Sequence, residues 1–116
     1  MHTTVLIVDD HPSFRRLARR LFEEAGFTVV GEAEDGRSAV ETAAALRPDL
    51  VLLDVMLPDL SGIEVAERLS PDISVLLVSS RSADDLAIPA KPNHRFLRKD
   101  ELTLDRIRAV AGGTGR

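Results

Sequence analysis

The stretch Leu50-Val51-Leu52-Leu53-Asp54-Val55-Met56-Leu57-Pro58-Asp59-Leu60-Ser61-Gly62 decides the fold. Its first four residues are apolar without alternation, which reads as a strand buried on both faces, the situation of a central strand in a parallel sheet. The run ends abruptly on a carboxylate, Asp54, and a loop from Met56 to Gly62 with Pro58 inside it follows.

The same grammar recurs on either side. Upstream, Val5-Leu6-Ile7-Val8 is another continuous apolar run and ends at Asp9-Asp10. Pro12 and Ser13 then open a helix on which Phe14, Leu17, Ala18, Leu21 and Ala25 share a face, with Phe22 beside them, and Gly26 stops it. Phe27 to Ala33 is a weaker strand, placed toward a sheet edge by Gly31 and Glu32. After the turn Glu34-Asp35-Gly36 an alanine-rich helix is expected over Arg37–Leu46, with Val40, Ala43 and Ala44 inward. Downstream, Ile63–Leu69 reads as a short helix and Ile73–Val78 as a strand ending at Ser79-Ser80. Ser82–Ile88 reads as two helical turns, stopped by Pro89 and Pro92. Arg95–Arg98 is a short strand ending at Lys99, Leu102–Ala111 a last helix with Leu104, Ile107 and Val110 at helical spacing, and Gly112-Gly113-Thr114-Gly115 a flexible end. Strand and helix alternate five times, so the expected fold is α/β: a five-stranded parallel sheet, doubly wound, in a single domain.

Bulk properties agree. The 116 residues suit one domain, and 44% hydrophobic residues suffice for a core. A net charge of −4 argues against direct nucleic-acid binding by this chain, which would need basic side chains against phosphates. The local cluster Arg15, Arg16, Arg19 and Arg20 reads as the solvated face of the first helix. With no cysteine, disulfides and thiolate chemistry are excluded, which fits a cytoplasmic location. No apolar run approaches the roughly 20 residues of a membrane span, and Met1 to Val8 lacks the basic start of a signal peptide.

The polar residues are informative by position. Asp9 and Asp10, Asp54, Ser79 and Lys99 each end a different predicted strand, and the ligand crevice of an open α/β sheet lies beyond the carboxyl ends of its strands. Each has an ordinary explanation alone: an Asp pair makes turns, Asp and Ser cap helices, and Lys is solvated. Convergence of all of them needs another. Three clustered carboxylates repel one another unless a cation joins them, and their hard oxygens suit Mg²⁺ or Ca²⁺. Lys99 and Ser79 supply an ammonium and a hydroxyl for phosphoryl oxygens, and a carboxylate can accept a phosphoryl group. His11, beside the acidic pair, reads as a solvated loop residue, because imidazole is a poor ligand for Mg²⁺.

The segments VLIVDD, LVLLDVMLPDLSG, VLLVSS and RFLRKDEL resemble the four signature segments of the bacterial two-component response-regulator receiver domain, and the likeness runs from about Thr4 to Ala111. It implies that Asp54 is the phosphoacceptor. Asp10 would bind Mg²⁺ directly, Asp9 largely through water, and Met56 through its backbone carbonyl. Ser79 would be the hydroxyl that swings toward the phosphoryl group, Lys99 its basic partner and Phe96 the switch aromatic; Phe96 is equally readable as a core residue. The implied partner is a sensor histidine kinase, and the implied output is altered partner binding or a homodimer through the last helix and the fifth strand. Such a chain is not an enzyme beyond its own phosphoryl acceptance and loss. Lys99-Asp100-Glu101-Leu102 and Ile107-Arg108-Ala109-Val110-Ala111-Gly112 are similar to receivers that precede a LuxR-type helix-turn-helix domain, which implies transcriptional control; no output domain is expected within residues 1–116.

Two departures stand out. The Ser79–Lys99 interval is short and holds Pro89, Pro92 and Asn93-His94-Arg95, so the fourth helix should be short or irregular. Of the positions that tune phosphate lifetime in the family, Met56 and Arg81 here, the thioether cannot orient a water, which implies slow loss. Two other functions fit the topology: a receiver-like interaction module that is never phosphorylated, and a nucleotide- or flavin-binding enzyme. The second would need a glycine-rich loop where Asp9-Asp10-His11-Pro12 stands.

Overall fold

The computed structural model describes residues 3–114, and side chains through residue 110. Five strands form one sheet in the order β2-β1-β3-β4-β5, with β1 over Thr4–Val8, β2 over Thr28–Ala33, β3 over Leu50–Asp54, β4 over Ser74–Ser79 and β5 over His94–Arg98. All neighbouring pairs are parallel. The helices are α1 (Pro12–Glu24), α2 (Gly36–Leu46), α3 (Gly62–Arg68), α4 (Ala83–Leu86) and α5 (Leu104–Thr114).

The continuous apolar runs are explained by two cores, one on each face of the sheet. Val5, Ile7, Leu50, Leu52, Leu76, Val78 and Leu97 point to one side, against Ala18 and Phe22 of α1 and Ile107 and Val110 of α5. Leu6, Val8, Val51, Leu53, Val75 and Leu77 point to the other, against Ala39 and Ala43 of α2 and Val65 and Ala66 of α3. Side chains alternate across a strand, so a strand covered on both faces must be apolar at every position. Phe22 and Phe27 meet edge to face, ring centroids 5.0 Å apart, and fix the α1–β2 corner. The weak second strand does lie at an edge; its register shifts between the partners of Val5 and Leu6.

Several sequence expectations are corrected. The fourth helix is a single turn rather than two, because Ala87 takes a left-handed conformation (φ 50°) that stops it. Pro89 also holds the residue before it away from helical geometry. The last helix starts at Leu104 rather than Leu102: residues Lys99–Glu101 form a 3₁₀ turn, and the Thr103 hydroxyl accepts from the Arg106 N–H as a cap. Its backbone ladder runs through Gly112 and Gly113, where a flexible end was expected; Gly115 lies outside the described residues. Leu17 is exposed, since Ala18 and Phe22 take the buried face of α1, and in α2 Ala39 rather than Ala44 points inward. The arginine cluster divides. Arg16 and Arg20 are solvated as expected, but Arg15 and Arg19 turn back to the Glu32 carboxylate of β2.

Candidate active site

Among the described residues the buried polar or charged side chains are Asp9, Asp54 and Ser79, exposed by 0%, 2% and 1%. Each lies at the carboxyl end of a strand: Asp9 just past β1, Asp54 the last residue of β3, Ser79 the last of β4. The sheet register brings these ends level, since Val8 lies opposite Leu53 and Asp54 opposite Val78. Burying a polar group is costly unless it is partnered, and burying a charge more so, so two acids and a hydroxyl at one end of a core otherwise apolar mark a site.

Lys99, first residue of the turn after β5, closes the group. Its Nζ lies 2.7 Å from Asp9 Oδ2 and 3.2 Å from Asp54 Oδ2. The Phe14 ring of α1 lies 4.6 Å from the ammonium, a cation–π contact that steadies it from below. Asp9 Oδ2 is fully buried and receives no directed hydrogen bond, so the contact with Lys99 is an ion pair. Asp54 Oδ1 accepts from the Met56 N–H at 3.0 Å, which curls the start of the β3–α3 loop around the carboxylate. Asp9 Oδ1 accepts from the His11 N–H at 2.8 Å, and His11 Nδ1 stands 2.9 Å from Asp9 Oδ1 and 3.1 Å from Asp10 Oδ1.

Asp9, Asp10 and Asp54 each offer a carboxylate oxygen, and His11 a ring nitrogen, all within 4.8 Å of one another. Among the described residues, three carboxylates gather around the one Lys99 ammonium, so acidic groups are in excess. A divalent cation is the counter-charge that balances them, and the three carboxylates, with the His11 nitrogen left aside, are the hard oxygen donors that Mg²⁺ prefers. The residues therefore fit the ion. The side chain of Met56 points out, 55% exposed, so only its backbone could serve a metal.

Burial pushes the Asp54 carboxyl above the usual carboxylate range, and the Asp9 charge adds to this; the Met56 N–H and the Lys99 ammonium oppose it without prevailing. At Lys99 burial lowers the ammonium, but its contacts with Asp9 and Asp54 outweigh that, and the net displacement is upward.

The structure gathers Asp9, Asp10, Asp54 and Lys99 as the sequence implied. Ser79 reaches the same rim, but its hydroxyl accepts from the Arg81 N–H at 3.1 Å rather than contacting Asp54. Phe96 stands apart on β5, half-buried and packed against the α2–α3 side of the core. Reading the sequence missed two contributors, Phe14 beneath Lys99 and Arg15 on the Asp9 carbonyl; His11 is the exposed loop residue expected beside the acidic pair, and its ring stands between the two acids. Phe14 and Arg15 sat in patterns already explained as core face and solvated face. The tight β3–α3 turn also explains Gly62. A Cβ there would collide with the Asp54 carbonyl and with Val55 Cα, and the Gly62 N–H bonds the Val55 carbonyl at 2.7 Å.

A cleft of about 440 Å³ between α2 and α3, lined by Val40, Ala43, Arg47, Leu69 and Ile73, lies toward the amino ends of the strands and contains none of these residues.

Residues 5–108 match the family model of the response regulator receiver domain. The chain belongs to the response regulator receiver family. The nitrate/nitrite response regulator NarP of Escherichia coli K12 is 40% identical over 119 residues, covering 95% of this chain and 55% of that protein. NarL of the same strain is 35% identical over 113 residues, covering 92% of this chain and 52% of that protein. The receiver thus spans about half the length of these curated relatives. Its fold matches a LuxR-family two-component response regulator from Aurantimonas sp. SI85-9A1 with a TM-score of 0.84 and 27% identity, over 100% of this chain and 88% of that one. No helix among the described residues of the receiver is long and apolar enough to cross a membrane.

Proposed function

We propose that the chain accepts a phosphoryl group on Asp54 from a phosphohistidine of a sensor histidine kinase, with Mg²⁺ as cofactor. The observation that carries this is the convergence of buried Asp9 and Asp54 on Lys99 at the carboxyl edge of the sheet. Asp10, Asp9, Asp54 and the Met56 carbonyl would hold the ion, which supplies charge compensation for the incoming phosphoryl oxygens. An Asp54 carboxylate oxygen attacks phosphorus; the bond to the donor imidazole nitrogen breaks and the imidazole leaves with the electron pair. Lys99, already 3.2 Å from Asp54 Oδ2, pairs with the developing negative charge, and the Met56 N–H orients the carboxylate through Oδ1. The Ser79 hydroxyl, held by the Arg81 N–H, donates to the phosphoryl group once it swings inward.

The acyl phosphate shifts a two-state equilibrium in favour of the state that bonds it better. Ser79 moving inward and Phe96 following would remodel the β5–α5 surface, where a homodimer or another partner docks. Residues 1–116 would then be one receiver domain serving a transcriptional output in the cytoplasm, without contacting nucleic acid itself. Exposed Met56 offers no hydrogen bond to an attacking water, in keeping with a long-lived phosphate.

Incubating the chain with acetyl phosphate and Mg²⁺ and weighing it tests the proposal. A gain of one phosphoryl group, absent with chelator, is expected. No gain under conditions that label a control receiver would favour the phosphorylation-independent interaction module, a reading supported by the single-turn α4.

A further inference from the structure

We infer that Arg15 is a positioning residue for the acidic pair, clamped in place by Glu32; the inference rests on the reading that Asp9 and Asp10 hold the cation. Arg15 leaves the first turns of α1 and folds back over the β1–α1 loop. Its Nη1 donates to the Asp9 carbonyl at 2.6 Å and its Nε to Glu32 Oε1 at 3.0 Å. The side chain is only 16% exposed, unusually covered for a surface helix arginine. The Asp9 N–H in turn donates to the Ala33 carbonyl at 3.1 Å. Both backbone polar groups of Asp9 are therefore tied, one to β2 and the other to α1.

The carbonyl that Arg15 holds belongs to the peptide joining Asp9 to Asp10. That unit is planar, so fixing its oxygen fixes the plane from which the Asp10 side chain departs. Asp10 is less enclosed: its side chain is 35% exposed and stands 3.1 Å from His11 Nδ1. Changing a partner that orients a metal ligand typically costs about 10- to 100-fold in metal affinity.

The guanidinium carries a charge of the wrong sign for a cation site. Glu32 answers this: Oε1 takes Arg15, and Oε2 takes Arg19 at 2.9 Å and 2.8 Å through Nε and Nη2. The fork geometry of arginine serves the carbonyl and the carboxylate together, which a lysine point charge cannot do as well. Arg19 shares the Glu32 carboxylate without reaching Asp9, so it provides an internal control.

Electrostatics and positioning predict opposite signs. Removing a positive charge near a cation site should tighten Mg²⁺ binding if charge alone matters. Positioning predicts that it weakens. The experiment is calorimetric Mg²⁺ titration of the full chain and of Arg15→Met, Arg15→Gln and Arg19→Met, with the unfolding midpoint of each in chelator. The Arg15 variants should raise the Mg²⁺ dissociation constant about tenfold. Arg19→Met should stay within about twofold, because it loses the same carboxylate partner but no contact to Asp9. If Arg15→Met does not fold, Arg15→Gln carries the same comparison. Unchanged or tighter binding in a folded Arg15 variant overturns the inference while leaving the Asp54 site intact. Weakening of equal size in Arg19→Met also overturns it, since the effect would then belong to the ion pair at large. Absence of Mg²⁺ binding by the unaltered chain sinks the inference together with the site reading beneath it.

Discussion

Two aspartates on one connection are treated in opposite ways. Asp54 ends β3, buried, with burial and the Asp9 charge driving its carboxyl upward against one backbone N–H and one ammonium. Asp59, further along the β3–α3 loop, lies exposed with its carboxyl held below the usual range. The Gly36 N–H is the main cause, and the Arg37 and Leu60 N–H groups add to it. Asp59 thereby ties the loop to the N-terminus of α2, where Asp35 already caps the helix by accepting from the Ser38 N–H. The acid that holds the fold together is surrounded by donors. The acid assigned to chemistry is short of them, and an incoming cation or phosphoryl group makes good the deficit.

That contrast can be broken most severely at Asp54. Asp54→Asn should lose acetyl-phosphate labelling altogether, read by mass, while its unfolding midpoint in chelator rises by several degrees, because a neutral amide relieves the buried charge. A midpoint that falls would mean that the Lys99 contact outweighs burial. Next in size is Gly62→Ala. The added Cβ meets the Asp54 carbonyl, backbone that cannot swing aside, so the loop must open. A loss of about 3 kcal/mol in chemical unfolding is expected, the upper end for forced overpacking. Labelling should fall as well, since the Met56 N–H moves with the loop.

The Asp54 side of this contrast was legible in the sequence, and the reason is physical. Val5 to Val8 and Leu50 to Leu53 had no polar residue to spare, so both faces had to be covered, and the parallel sheet followed. Asp9, Asp54 and Ser79 then stood where the apolar runs of β1, β3 and β4 ended. What stayed hidden depended on side-chain reach. Arg15 and Arg19 look alike in a helical projection, yet only Arg15 reaches the Asp9 carbonyl, a contact set by the packing of α1 on β2. Asp59 reads as a loop acid until α2 arrives at its carboxylate. A short fourth helix was legible from Pro89 and Pro92, but its stop after one turn depends on a left-handed Ala87, and alanine carries no sign of that conformation.

The smallest effects separate the two acids by pH. A carboxyl raised in the folded state favours folding below its unfolded value, near 3.8, and that contribution is lost as pH climbs through the raised folded value. The midpoint advantage of Asp54→Asn should therefore be slight in acid and grow toward neutral pH. For Asp59 the sign reverses: its contribution is present above 3.8 and lost as pH falls through the depressed folded value. Asp59→Asn should cost a few degrees at neutral pH and little in acid, where the protonated acid and the amide accept alike, with labelling on Asp54 unchanged throughout. If instead Asp59→Asn lowered labelling, the tie from the loop to α2 would be positioning the phosphoacceptor, and the division between the structural and the chemical aspartate would dissolve.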